Sequence, residues 1–159
     1  MRWMAIDHGL KRIGVAFCDE MEILASPYAV LPMEGEVSLE KLAALAKKEG
    51  AVALLVGLPL HHDGAESATA AAAKEFGRAL AGRAGLPLEF INEHLTSVEA
   101  ARILSGRSKK GRKKGQTDKT DAAAAAVMLM EHLENRKSRG SIVKALPNQN
   151  KMSLWTDIQ

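Results

Sequence analysis

Residues 52–56, Val-Ala-Leu-Leu-Val, form an uninterrupted apolar run that Gly57-Leu58-Pro59 is expected to end. A strand with no polar alternation has no face to offer water, so it belongs inside a sheet covered on both sides. Helices that connect parallel strands provide that cover, and the flanking sequence supplies them. Before the run, a helix is expected over 38–49. Ser38 stands in position to cap it, Leu39, Leu42, Ala43 and Leu45 recur on one side, and Gly50 stops it. After the run, an Ala-rich helix is expected over about 67–83, followed by a strand at 87–92. Upstream lie strand candidates at 2–7, 12–18 and 27–32, joined by turns short enough for an antiparallel meander. Thr96-Ser97-Val98-Glu99 is a capping box opening a helix to about Leu104, and a last helix is expected from about Thr120 to Glu134. The order βββαβαβαα predicts an α/β domain with a mixed five-stranded sheet and helices on both faces.

The 159 residues suit one domain with a substantial core, placed here at 1–135. Residues 136–159 are polar, basic and turn-rich, and read as a poorly ordered tail, with Trp155 an unusual member. No apolar stretch approaches the roughly 20 residues of a membrane helix. The chain opens directly on a strand-like segment, so neither a membrane partner nor a signal peptide is expected. Cys18 has no partner cysteine and reads as a small buried hydrophobe, which suits a reducing, cytoplasmic setting.

Charge is unevenly spread. Residues 105–119 carry seven Lys/Arg against one Asp, a charge of +6, and residues 136–159 carry five against one, a charge of +4. The whole chain is only +3, which leaves −7 on the remainder. An acidic body with basic appendages points to a polyanionic partner, nucleic acid first. The competing reading is a solvated loop whose charges aid solubility.

Three carboxylates stand where chemistry could gather. Asp7 ends the first strand and is followed by the turn His8-Gly9 and the basic pair Lys11-Arg12. Taken alone, it also fits a strand-terminal Asp bonded to its own turn. Glu93 lies just past the strand at 87–92, and Asp121 begins the last helix behind the basic segment. Parallel strands bring their C-terminal ends to one sheet edge, where α/β sites form. Acids converging there would repel unless a divalent cation relieved them, and oxygen ligands suit Mg²⁺ or Mn²⁺. Singly, Glu93 fits a polar strand end, and Asp121 fits an acid on a helix dipole, with Asp118 competing for that role. His61-His62-Asp63 suggests zinc only weakly, because adjacent loop residues rarely complete a site. Gly57 and Gly64 more readily shape a loop.

Ala5-Ile6-Asp7-His8-Gly9-Leu10-Lys11-Arg12-Ile13-Gly14-Val15-Ala16 resembles the opening signature of the YqgF/RuvX family. Val56-Gly57-Leu58-Pro59-Leu60 with Asp63-Gly64 resembles its second motif, Asn92-Glu93-His94-Leu95-Thr96-Ser97 its third, and Asp121 before an Ala-rich helix its fourth. The resemblance covers about residues 1–135 in order and spacing. It implies a ribonuclease H-like fold and cytoplasmic, metal-dependent cleavage of structured nucleic acid, with 5′-end processing of pre-16S rRNA foremost. Asp7, Glu93 and Asp121 would then be the catalytic and metal-binding carboxylates. Lys11, Arg12, Arg107, Lys109, Lys110, Arg112, Lys113 and Lys114 would meet phosphates. The family's third motif usually reads Asp-Glu-Arg, whereas this chain has Asn92-Glu93-His94. His grips phosphate only when protonated, and one acid is lost.

Three other activities are open from sequence. One is Holliday-junction cleavage, which needs paired sites and hence a homodimer rather than a monomer. Another is a non-catalytic nucleic-acid-binding module of the same fold. The last is an actin- or sugar-kinase-like ATPase, which would need a second related domain.

Overall fold

The computed structural model describes residues 1–59, 68–93 and 116–145. Five strands, β1 (Trp3–His8), β2 (Arg12–Cys18), β3 (Ala25–Pro32), β4 (Ala53–Pro59) and β5 (Leu88–Glu93), form one sheet in the order β3-β2-β1-β4-β5. β2 pairs antiparallel with β1 and β3, while β1/β4 and β4/β5 are parallel. Helices α1 (Glu36–Lys48), α2 (Ala68–Ala84) and α3 (Gln116–Ala145) complete the described elements. The expected mixed five-stranded sheet, with helices on both faces, is the architecture found.

Side-chain alternation along the strands divides the core into two layers. Met4 and Ile6 of β1, Ile13, Val15 and Phe17 of β2, and Leu54 and Val56 of β4 pack with α1 and α2. Trp3 and Ala5, Ala16 and Cys18, and Ala53 and Leu55 face the other way, against Ala124, Ala125, Met128, Leu129 and Leu133 of α3. Small residues on both partners let α3 lie close over β1, β2 and β3. The apolar run at 52–56 is therefore buried on both sides, and Leu54, Leu55 and Val56 have no exposure.

Several boundaries differ from the sequence expectation, each for a local reason. Gly57-Leu58-Pro59 does not end β4, which pairs with β5 up to Pro59↔Glu93. The β1 ladder stops at Ile6↔Val56, so the missing N–H of Pro59 falls where β4 has β5 as its neighbour. Ser38 does not cap α1. Its hydroxyl accepts the Glu34 N–H at 2.7 Å and donates to the Pro32 carbonyl at 2.9 Å, pinning the preceding turn. Gly35, at φ 56°, occupies the cap position instead. Glu93 is the last residue of β5 rather than the residue just past it.

α3 starts four residues before Thr120 and continues past Glu134 to Ala145, so the first ten residues expected in a poorly ordered tail are helical. Arg136 anchors this extension. Its guanidinium carbon lies 4.9 Å from the Trp3 ring centroid, and Nη1 lies 3.6 Å from Glu89 Oε1. The helix expected at 96–104, residues 105–115 of the basic segment, His61-His62-Asp63 and the chain from 146 onward lie outside the described residues. No described helix is long and apolar enough to cross a membrane.

Candidate active site

β1, β4 and β5 run parallel, so their C-terminal ends share one sheet edge. Asp7 stands near that edge, in the alternation of Trp3 and Ala5, whose side chains face α3. Its cross-strand partner is Gly14. A Cβ placed on Gly14 would lie 2.1 Å from the Asp121 carbonyl oxygen and 2.9 Å from the Ala122 nitrogen. Only glycine allows the α3 backbone to settle there, directly across the ladder from Asp7. The proximity of Asp7 and Asp121, 114 positions apart in sequence, thus depends on one absent methyl group.

Arg12 completes this corner. Its Nε donates to Asp121 Oδ2 at 3.0 Å, with the arginine 41% exposed and the aspartate 22% exposed. The guanidinium holds one carboxylate in place and offsets its charge. Arg12 thus has a carboxylate partner through Nε, beside the exposed Lys11. Lys11 sits on a fixed turn. The Gly9 N–H donates to the Arg12 carbonyl at 2.9 Å, and the Lys11 carbonyl accepts the Met33 N–H at 3.0 Å.

Glu93 ends β5 at the same edge, two residues beyond Ile91, which packs against the α3 layer. The three predicted carboxylate positions are therefore on elements that meet at one end of the sheet. Among the described residues no three acidic, histidine or cysteine side chains form a ready metal cluster; the expected trio includes Glu93, placed by its strand position. Oxygen donors alone at this edge fit a hard divalent cation better than zinc or copper.

His8, next to Asp7 in sequence, belongs to the opposite layer. Its ring lies 5.0 Å from that of Phe76 in α2, and burial lowers its pKa. It is thus held neutral and away from the carboxylates. A cleft of about 560 Å³ runs between β5 and α3, bordered by Glu89, Asn92, Glu131, Arg136 and Arg139. Its acids and bases offset one another, and neither Asp7 nor Asp121 lines it.

Sequence reasoning missed two contributors, Gly14 and the pairing of Arg12 with Asp121. A glycine inside an otherwise regular strand was the available signal for the first, since it marks close backbone approach. Nothing local could reveal the second, because the partners are 109 residues apart.

The RuvX family model, described as a Holliday junction resolvase, matches residues 1–135. A protein of Rhodopirellula baltica bearing the provisional name of pre-16S rRNA nuclease is 38% identical over 143 residues, covering 89% of this chain and 81% of the relative. A protein of the same name from Burkholderia multivorans is 38% identical over 132 residues, covering 82% of this chain and 87% of the relative. Among solved structures, Thermus thermophilus RuvC in complex with a Holliday junction substrate superposes with a TM-score of 0.54 at 17% identity, covering 87% of this chain and 96% of the other. That likeness establishes the ribonuclease H-like fold.

Proposed function

This chain belongs to the RuvX family, and from that membership we propose that it is a nuclease that hydrolyses phosphodiester bonds in the 16S rRNA precursor, processing its 5′ end in the cytoplasm during ribosome assembly. The observation that carries the reading is the Gly14 gap. It seats Asp121 across from Asp7 at the edge where β5 delivers Glu93.

Asp7, Glu93 and Asp121 would hold one or two Mg²⁺ or Mn²⁺ ions. Such ions, when bound, supply an activated water and neutralise charge at the phosphoryl group. The residues of the chain have their own tasks. Arg12 keeps Asp121 oriented through its 3.0 Å hydrogen bond. Lys11, exposed on the β1–β2 turn, would meet a backbone phosphate, and so would Arg107, Lys109, Lys110, Arg112, Lys113 and Lys114 of the basic segment. Binding through several such cations falls steeply with salt.

A second reading, cleavage of a four-way DNA junction, is favoured by the description of the matching family model. It requires two copies of the site, hence a homodimer, whereas a processor of one RNA strand can act as a monomer. The departure at Asn92-Glu93-His94 favours a third, a non-catalytic binding module.

One experiment separates them. Labelled rRNA precursor and a four-way DNA junction are incubated with wild type and Asp7→Asn, with and without Mn²⁺. Mn²⁺-dependent cleavage of the RNA by wild type alone is the expected result. Cleavage of the junction alone moves the substrate to DNA. Binding by both proteins with no cleavage by either across a metal series leaves the binding module.

A further inference from the structure

Leu10 is 77% exposed, the highest value of any large hydrophobic among the described residues. It occupies the tip of the β1–β2 turn, a place where Gly, Asn, Asp or Ser is usual. Exposed there, a leucine gains nothing from folding. Single exposed apolar residues are common on protein surfaces and mean little by themselves. This one differs in its setting. It lies three positions from Asp7, beside the exposed Lys11, and its turn is clamped on three sides. The Gly9 N–H bonds the Arg12 carbonyl, the Lys11 carbonyl accepts from Met33, and Arg12 is held by Asp121. Gly9 itself has no room for a side chain, since a Cβ would lie 2.5 Å from the Arg12 oxygen. An apolar branched group is thus presented rigidly at the carboxylate edge, next to a cation.

We propose that Leu10 is a base-step wedge: it inserts between two stacked bases of the bound nucleic acid beside the scissile phosphodiester, while Lys11 holds the neighbouring phosphate. The inference rests on the nuclease reading given above. Its chemistry follows from the surroundings. A nucleic acid whose phosphates meet Lys11 offers a leucine at the same tip only sugar and base surface. Apolar side chains that open a base step kink the backbone, which here turns the phosphodiester toward the carboxylates. Leu10 acts on the shape of the substrate and is a positioning residue.

The test has two arms, both on the full chain. In an Asp7→Asn background, duplex RNA carrying 2-aminopurine at successive positions around the precursor 5′ end is bound and its fluorescence read. Leu10 is expected to give a rise at one base step, Leu10→Ala none, and Leu10→Phe a restored rise. An equal rise with Leu10→Ala overturns the wedge, as does absence of binding.

In the second arm, Leu10→Ala should slow cleavage of a continuous duplex by about tenfold. It should match wild type on a substrate already mismatched at that step. Equal slowing on both substrates, or on neither, overturns the proposal. If wild type cleaves nothing, the nuclease reading fails while the fluorescence arm still decides the wedge. Leu10 packs against no core, so unchanged thermal unfolding of Leu10→Ala is expected and separates a local effect from misfolding.

Discussion

Asp7 and Gly14 face each other across one rung of the sheet, and substitutions at the two positions should fail in different ways. Asp7→Asn keeps size and shape but removes the charge. Cleavage should fall by at least about a hundredfold with stability little changed, measured as initial rates beside urea unfolding. Gly14→Ala adds a methyl group that would lie 2.1 Å from the Asp121 carbonyl oxygen, so the backbone of α3 must move. A loss of about 3 kcal/mol is expected from overpacking against backbone, together with loss of cleavage. Gly77→Ala is the control. Its Cβ would meet Val56 Cγ2 at 3.1 Å and Phe90 Cε1 at 3.2 Å, side-chain atoms rather than backbone. With the helix-propensity gain of alanine offsetting the squeeze, its stability should stay within about 1 kcal/mol of wild type. At this scale the sequence revealed Asp7 as a candidate, while the reason Gly14 must be glycine lies in a backbone over a hundred residues away.

α3 shows what an element gains from its context. Its first half is bound to the sheet by alanines, Met128 and Leu129, and its later turns by His132 and Arg136. His132 is 8% exposed, edge-on to Trp3 at 4.7 Å, and its Nε2 lies 3.2 Å from Glu89 Oε2 without hydrogen-bond alignment. Burial lowers the pKa of this imidazole, Arg136 adds to the effect, and Glu89 opposes it. The unfolded chain, titrating near its usual value of about 6.5, then binds more protons than the folded one below that pH. Stability should therefore decline as pH falls below about 6.5 and level off beneath the folded pKa. Urea midpoints at pH 7.5 and pH 5 in wild type and His132→Gln check this; the variant should show a smaller acid loss. The sequence expectation ended this helix at Glu134 because the following residues are polar and basic. Polar residues continue a helix when some of them find partners, and Arg136 finds Trp3 and Glu89.

Over the whole molecule, the charge pattern bears on how a nucleic acid would be captured under the proposed function. The basic segment at 105–119 carries +6 on a chain of +3. Replacing Arg107, Lys109, Lys110, Arg112, Lys113 and Lys114 with glutamine should weaken binding to every RNA tested. It should also flatten the dependence of log affinity on log salt, by about 0.7–0.9 for each phosphate that is no longer neutralised. Filter binding over a salt series reads both effects. An unchanged slope would show that these cations do not neutralise phosphates. The mixed sheet makes the arrangement work: two antiparallel pairings set the turn of Lys11 beside β1, and two parallel pairings carry the ends of β4 and β5 to the same edge.

Local pattern alone determined the strands, the helices of the sheet's two faces and the identity of the acids worth watching. Period-two alternation, a fully apolar run and glycine stops act over a few residues, so they can be read without the fold. Tertiary structure decided how distant segments meet. It set α3 onto the Gly14 gap, joined Arg12 to Asp121, turned His8 to the opposite layer, and carried the last helix onto Trp3. Each of these depends on which elements end up facing one another, a matter of sheet order and packing distance that no single stretch of sequence encodes.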